Sequence, residues 1–370
     1  MSLPAVAPVV VIGGGVMGAS ALYHLARAGC RNAVLVERET LASGSTSRAA
    51  GGIRAQFSDE LNIRIGLECI RRYERFAEEP GGDVGFKQWG YLFLLTSDWE
   101  VETFAESLLV QQRLGVPSRL LGPDEIGEIV PGLNVEDVRA ASFCPIDGYA
   151  TPEAAVQGYA SAAAALGATI VQGCAATSID VDQGRVTGVA TDGGRVATER
   201  VILTAGVWSR ELAASAGVEL PVQPEKRHVF FTAGGDELPH ELPLTTDFGT
   251  GFYFHREGHG LLFGGRVETL EELAPDAVHR LPALEQLPVR GSWWGYYEMS
   301  PDHNALVGEA AEPAGLVYAT GFSGHGFQQG PVIGEHVALL ALGLETPFDL
   351  SPFSAERFAR GVSRAEMHVV

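Results

Sequence analysis

The sequence predicts an α/β fold: a domain with buried parallel strands at both ends of the chain and a strand-rich middle, with a discontinuous second domain made of one segment from each side of that middle. Three observations carry this. The run Pro8–Ile12, PVVVI, is short, unbroken and apolar, as a buried parallel strand is, and a glycine turn and a helical pattern follow it. Residues 315–343 repeat that order, with the strand-like GLVYAT, the turn GFSGHGFQQGP and the helix-like VIGEHVALLALG. Between them, residues 167–206 alternate and turn like a set of short β-strands.

The first turn fits G-x-G-x-x-G at Gly13, Gly15 and Gly18. In that pattern Gly13 makes the tight turn, Gly15 lets backbone approach a pyrophosphate, and Gly18 lets helix pack on strand. Ala21, Leu22, Leu25 and Ala26 recur at helical spacing, and Gly29 closes the helix. The helix N-terminus offers free N–H groups and partial positive charge to phosphates. The next strand, AVLVE, ends at Glu37, whose carboxylate suits a ribose hydroxyl and argues against NADP. The turn alone does not separate NAD from FAD.

Leu41–Phe57, LASGSTSRAAGGIRAQF, gathers small residues and the hydroxyls of Ser43, Ser45, Thr46 and Ser47, with Arg48 and Arg54 standing out. A flexible surface loop with solvated arginines is one reading. The density of small residues after a dinucleotide strand favours another. In it the loop hugs a cofactor, with hydroxyls and amides on phosphate and one arginine left for an anionic substrate.

Further along, Thr151 caps a helix, Pro152 occupies its first turn and Gly167 closes it. Gln183-Gly184 and Gly193-Gly194 mark hairpin turns, and VILTAG is another buried strand that stops at a small-residue turn. FYFHREGHGLLFGGR reads as a hairpin around Glu257-Gly258. Residues 86–140 and 220–291 carry more proline, more charge and longer strands, so they are assigned to the second domain. Residues 1–85, 141–219 and 292–370 are assigned to the first. No repeat or low-complexity tract is evident.

The 370 residues, 46% of them hydrophobic, suffice for a large core. Lys and Arg number 26 against 46 Asp and Glu, a net charge of −20 scattered along the chain. That balance argues against nucleic acid and anionic membranes as partners. Cys30, Cys69, Cys144 and Cys174 are widely spaced with no C-x-x-C pair, which reads as reduced thiols in a cytoplasmic protein and not as a zinc site. No apolar run is long enough to span a bilayer, and MSLPAVAPVVVIGGG lacks a basic n-region, so no signal peptide is expected.

Together, VVVIGGGVMGASALYHLARAG with LVER, GSTSRAAGGIRAQF, VILTAGVWS, PDHNALVG and GLVYATGFSGHGFQQGPVIGE resemble the flavoprotein family of D-amino-acid oxidase, glycine oxidase and sarcosine oxidase. The nearest likeness is to sarcosine oxidase β-subunits, dimethylglycine dehydrogenases and proline dehydrogenase β-subunits. The resemblance implies FAD bound by a discontinuous Rossmann-like domain, with an antiparallel-sheet domain roofing the isoalloxazine. The cofactor contacts it implies fall on Gly13, Gly15, Val16, Met17 and Gly18, on Glu37 and Arg38, and on Ser43, Ser45, Thr46 and Arg48. They continue on Ala176, on Ala205, Gly206 and Trp208, and on Gly321, Ser323, Gly324, His325, Gly326, Phe327 and Gln328. It also implies a job for the late glycines: bare backbone lies against the flat ring. A helix starting near Pro331 aims its N-terminus at the N1–C2 edge, where reduced flavin is anionic.

The departures from the family pattern are as informative. Members that tether FAD use a histidine just after the G-S-T, where Ser47 and Arg48 stand, or a cysteine in the stretch matching GYYEMSPD, where Gly295, Tyr296 and Tyr297 stand. FAD is therefore expected to be noncovalent. The resemblance puts the substrate carboxylate on Arg54, with Gln328 at the place of a family lysine, Tyr253 lining the pocket and His325 in the flavin turn. The expected reaction is oxidation of the C–N bond of a small secondary or N-methyl amino acid, such as sarcosine, dimethylglycine or proline, to an imine. Leu262 occupies the place of an oxygen-activating lysine, so a dehydrogenase with an electron-acceptor protein or an α-subunit as partner is favoured over an oxidase. Two alternatives stay open: a 2-hydroxy-acid or polyol-phosphate dehydrogenase, for which Arg256 and Arg266 would supply basic groups, and a non-enzymatic flavin-binding assembly factor.

Overall fold

The computed structural model describes residues 3–235 and 238–369. Its central sheet has six strands in the order Leu306–Glu309, Leu316–Thr320, Val201–Leu203, Val10–Ile12, Val34–Glu37 and Thr169–Gln172. Five are parallel, and the edge strand Leu306–Glu309 is antiparallel. The strands Val10–Ile12 and Val201–Leu203 are buried on both faces, which is why they read as unbroken apolar runs.

Two helices share one face of this sheet, Val16–Arg27 and Gly326–Leu342. A Cβ on Gly330 would lie 2.8 Å from Val16, and one on Gly334 would lie 2.2 Å from Ser20. The contacts advance in step along both helices, so the helices run parallel and close together, with small residues at the crossing. Both N-termini therefore open on the same side, at the carboxyl ends of the strands Val10–Ile12 and Leu316–Thr320.

The late helix starts earlier than the sequence suggested. It begins at Gly326, with His325 at its N-cap, and Pro331 lies inside it. Proline is favoured in a first turn, hence the expectation. Inside a helix it cannot donate to the carbonyl four residues back. That carbonyl belongs to Phe327, and the buried Tyr73 hydroxyl donates to it at 2.8 Å, while Arg72 Nη1 donates to the Pro331 carbonyl at 2.9 Å. The helix Glu60–Glu74 thus supplies the partner that lets the late helix extend back to the glycine turn.

The second large sheet has eight strands in the order Val289–Met299, Gln223–Thr232, Gly260–Gly264, Tyr253–Glu257, Leu244–Asp247, Tyr91–Leu95, Ala140–Cys144 and Arg119–Leu121. All its pairs are antiparallel except Leu244–Asp247 with Tyr91–Leu95. The division points at 140/141 and 291/292 each fall inside a strand of this sheet. A third sheet, Ala176–Asp182, Arg185–Thr191 and Gly194–Ala197, turns at Gln183-Gly184 with φ of +48° and +73°. The next turn sits one residue earlier than expected, since Thr191 pairs with Gly194. The hairpin after Tyr253 turns through Gly258, since Glu257 pairs with Gly260. No helix among the described residues is long and apolar enough to cross a membrane.

Candidate functional site

A cleft of about 400 Å³ runs from the first glycine turn to the roofing sheet, within the usual size for a small-molecule site. Its near end is built by the strand–turn–helix at Val10–Arg27. Gly13 has φ +108°, and a Cβ there would sit 2.5 Å from the Thr204 carbonyl oxygen. A Cβ on Gly18 would sit 1.9 Å from the Gly13 carbonyl oxygen, so this glycine holds the helix against the turn without lining the cleft. Gly15 is different: only Thr46 Oγ1, at 3.1 Å, approaches its absent Cβ, and its backbone faces the cleft. Val16 N donates to Thr46 Oγ1 at 3.1 Å, and Met17 lines the wall beside it.

Glu37 borders the same end. Its two oxygens accept from Gly14 N at 2.7 Å and Glu39 N at 2.8 Å, which orients the carboxylate and leaves lone pairs for ribose hydroxyls. Arg38 lies 3.7 Å over the Trp208 ring, and both border the cleft beside Ala176, Ala205 and Gly206. Ser43, Ser45, Thr46 and Arg48 line it from the second loop. Ser45 Oγ donates to the Tyr296 carbonyl at 2.7 Å, tying that loop to the long strand Val289–Met299.

At the far end Gly324, Gly326 and Phe327 reach the cleft, whereas Gly321 and Ser323 do not. Gly321 has φ +68° and packs on Leu306, and Ser323 Oγ is spent on Ser300. Gly324, at φ +92°, is required by the Tyr297 ring, which a Cβ would meet at 2.7 Å. The late turn is thus bare partly for its protein neighbours. Glu298, which sequence reasoning passed over, accepts from Thr320 Oγ1 at 2.7 Å, and burial pushes its carboxyl up to about 7. The signal was there: one acid beside two tyrosines in a strand.

Arg54, His325 and Gln328 come together, but behind the cleft wall and not on it. Arg54 is 4% exposed. Its guanidinium donates to the Gln56 carbonyl and, at 2.5 Å, to the His368 carbonyl, and Nη2 lies 3.1 Å from His325 Nε2. It stacks 4.1 Å from the Phe57 ring centre. Gln328 Oε1 accepts from Arg54 N at 2.8 Å, so it positions the arginine's backbone. Burial, with the Arg54 charge adding to it, pushes His325 down to about 3. It is neutral at pH 7, and its Nε2 lone pair is directed at Arg54.

Behind this group Asp147, fully buried and pushed up by burial to about 6, accepts from Ala55 N at 2.9 Å and Gln56 Nε2 at 3.1 Å. Against the same group packs the segment 366–369, which the sequence did not reveal and which does not line the cleft. Glu366 accepts from Ser58 N at 2.9 Å, and the His368 ring stacks on Phe104 at 3.9 Å. Burial works against ionisation of Glu366, yet His368, the Ser58 N–H and Arg54 together hold its carboxyl down at about 2.

Tyr253 lines the far end of the cleft with Tyr297 and Arg227. His255 is buried, with Nε2 2.9 Å from the Ala50 carbonyl oxygen, and burial pushes it down to about 4. Leu262 shares its face of the sheet, since the two residues pair. Arg256 donates to the carbonyls of Gly235, Leu238 and Pro239, and Arg266 to those of Phe248, Gly249 and Val369. Neither lines the cleft, so the basic groups that a phosphate substrate would use are engaged elsewhere.

The cradle fits a dinucleotide: a helix N-terminus and bare Gly15 backbone for a pyrophosphate, Glu37 for a ribose, and a second helix N-terminus at the far end for a ring. Among the described residues, those lining the cleft include no cysteine and no histidine. Acid or detergent should therefore release all flavin from the purified protein. Absorbance of the supernatant checks this, and colour retained on the denatured chain would contradict it.

The family described as FAD dependent oxidoreductase matches residues 8–340. Bovine (Bos taurus) FAD-dependent oxidoreductase domain-containing protein 1 is 31% identical over 98% of this chain and 86% of its own. Human mitochondrial sarcosine dehydrogenase is 30% identical over 96% of this chain, which spans only 42% of that protein. The crystal structure of L-proline dehydrogenase from P. horikoshii superposes with a TM-score of 0.92 and 33% identity, covering 98% of this chain and all of that one. The chain belongs to the FAD dependent oxidoreductase family.

Proposed function

We propose that this chain oxidises the C–N bond of a small secondary or N-methyl amino acid to an imine, which water then hydrolyses. One observation carries the reading: beside the ring end of the cofactor cleft lies a buried arginine, Arg54, whose direct partners are all neutral. Its guanidinium hydrogen-bonds carbonyls and an imidazole, while the Glu366 and Asp147 carboxyls act on it from farther off, so a carboxylate can replace a neutral acceptor there. The names of two relatives agree, since sarcosine and L-proline are both secondary α-amino acids.

Held by the Gly15 backbone and Glu37 at one end and the late glycine turn at the other, FAD would supply the two-electron oxidation. The protein's part is to bind and orient. The substrate carboxylate replaces the His368 carbonyl on Arg54, so segment 366–369 yields as substrate enters. Gln328 and Asp147 hold the Arg54 backbone and its neighbours, and His325 steadies the guanidinium from the other side. Tyr253 and Tyr297 wall the amine against solvent and align its C–H bond.

The electron acceptor is a second component of the proposal. Leu262 is apolar and 4% exposed, and offers no charge to a nascent oxygen anion. Turnover is therefore expected with a dye or an acceptor protein, and slow with oxygen. The test is product analysis with each acceptor. Stoichiometric aldehyde from an N-methyl amino acid, formed with dye but hardly with air, is the expected result. Fast peroxide-producing turnover overturns the acceptor assignment, and absence of any aldehyde or keto acid overturns the reaction.

A further inference from the structure

Arg227 is a cation of the cleft that no sequence motif marks. It stands on the strand Gln223–Thr232, where its partner on Val289–Met299 is Gly295, so no side chain opposes it across the ladder. Its side chain is 11% exposed. Nη1 is engaged by Glu225 Oε1 at 2.5 Å and the Lys226 carbonyl at 3.3 Å. Nε is buried and donates to nothing among the described residues. The guanidinium carbon lies 5.2 Å from the centre of the Tyr297 ring, whose hydroxyl feels both Arg227 and Arg54.

Two facts about this arrangement call for a ligand. A guanidinium N–H buried without an acceptor forfeits the full cost of its desolvation, and the Nε edge is one that a carboxylate grips with two parallel bonds. Glu225 balances charge only from the other end of the fork, and at 47% exposure its carboxylate stands largely in water. Tyr297 therefore feels two cations: Arg54, behind the cleft wall, and Arg227, which lines the cleft and keeps its Nε unfilled.

We infer that Arg227 is a specificity-determining residue that takes a second acidic group of the substrate, so that the preferred substrates are secondary amino acids bearing two carboxylates. The amine chemistry and the first anchor rest on the function proposed above; the second anchor rests on the geometry of Arg227. A substrate with one carboxylate leaves the Nε edge unfilled and gains nothing from it.

The test uses the FAD-loaded full chain and reads binding without turnover. The flavin spectrum is titrated with malonate, succinate and glutarate, and with acetate, propionate and butyrate as the matched monoacids. The best diacid should bind about ten- to a hundredfold more tightly than its monoacid. In Arg227→Met that ratio should collapse until the two bind alike, and Arg227→Lys should restore part of it. Equal affinity in the wild type overturns the inference, as does an unchanged ratio in Arg227→Met or loss of FAD from a folded variant. Should Arg227→Met not fold, the wild-type titration still decides. A diacid preference that is lost in Arg227→Met, without any amine oxidation, would leave the second anchor at Arg227 standing and sink the proposed reaction.

Discussion

Arg54→Ala should lower kcat/KM for a carboxylate-bearing amine by roughly 30- to 1,000-fold while FAD content stays normal. The size follows from losing a desolvated, charge-assisted contact worth about 2–4 kcal/mol. The structure adds a condition. Arg54 also donates to the Gln56 and His368 carbonyls, so its removal frees segment 366–369 as well. Loss of that cover alone would loosen the site for every ligand. Arg54→Lys separates the two effects, because it keeps the charge but not the planar fork. Lys should recover part of the loss for carboxylates, and none of the variants should alter turnover of an uncharged amine to the same degree. If Arg54→Ala loses FAD instead, the residue serves the cofactor or the fold and the carboxylate anchor is elsewhere.

Gly18→Ala should abolish stable FAD binding and destabilise the fold by about 3 kcal/mol or more. The added carbon would lie 1.9 Å from the Gly13 carbonyl oxygen and 2.8 Å from Thr204 Oγ1. Backbone oxygen cannot step aside as a flexible side chain can, so the helix Val16–Arg27 must move off its strand. That movement tilts its N-terminus and pulls Gly15 out of line with the cleft. Gly127→Ala is the control: nothing lies within 4 Å of that position in the helix Pro123–Ile129, so the change should be neutral or stabilise by up to about 1 kcal/mol. Thermal unfolding and flavin absorbance of both variants check the pair. A Gly18→Ala protein that binds FAD normally would mean the close packing is not what shapes the cradle.

Much of the cradle was legible because its signals are local. Gly13, Gly15 and Gly18 sit between an apolar run and a helical pattern, and the three constraints on them act within a few residues. The late turn was legible for the same reason, though not its helix boundary. Pro331 looked like a first-turn residue, and only the Tyr73 hydroxyl, 254 positions away from Phe327 in sequence, makes an interior proline tolerable. Distance in sequence hid the rest. Arg54 meets the His368 carbonyl across 314 positions, so nothing near Arg54 announces that segment 366–369 covers it. Arg227 lies in a strand reading QPEKRHVFFT, where one arginine among several charges looks solvated. Its burial depends on pairing with Gly295 and on the Tyr297 ring, a register that local pattern does not specify. The glycine cradle was therefore written in motifs, and the surroundings of Arg54 and Arg227 in tertiary contacts.

Anaerobic mixing of the FAD-loaded protein with a panel of amino and hydroxy acids tests the central claim most directly, because it needs no acceptor and no product assay. The panel should include sarcosine, dimethylglycine, proline, iminodiacetate, glycine, lactate and glycerol 3-phosphate. Secondary and N-methyl amino acids should bleach the oxidised-flavin absorbance within the time of a turnover, with the hydroxy acids leaving it unchanged. Bleaching by lactate or glycerol 3-phosphate, with every amine inert, would contradict the account.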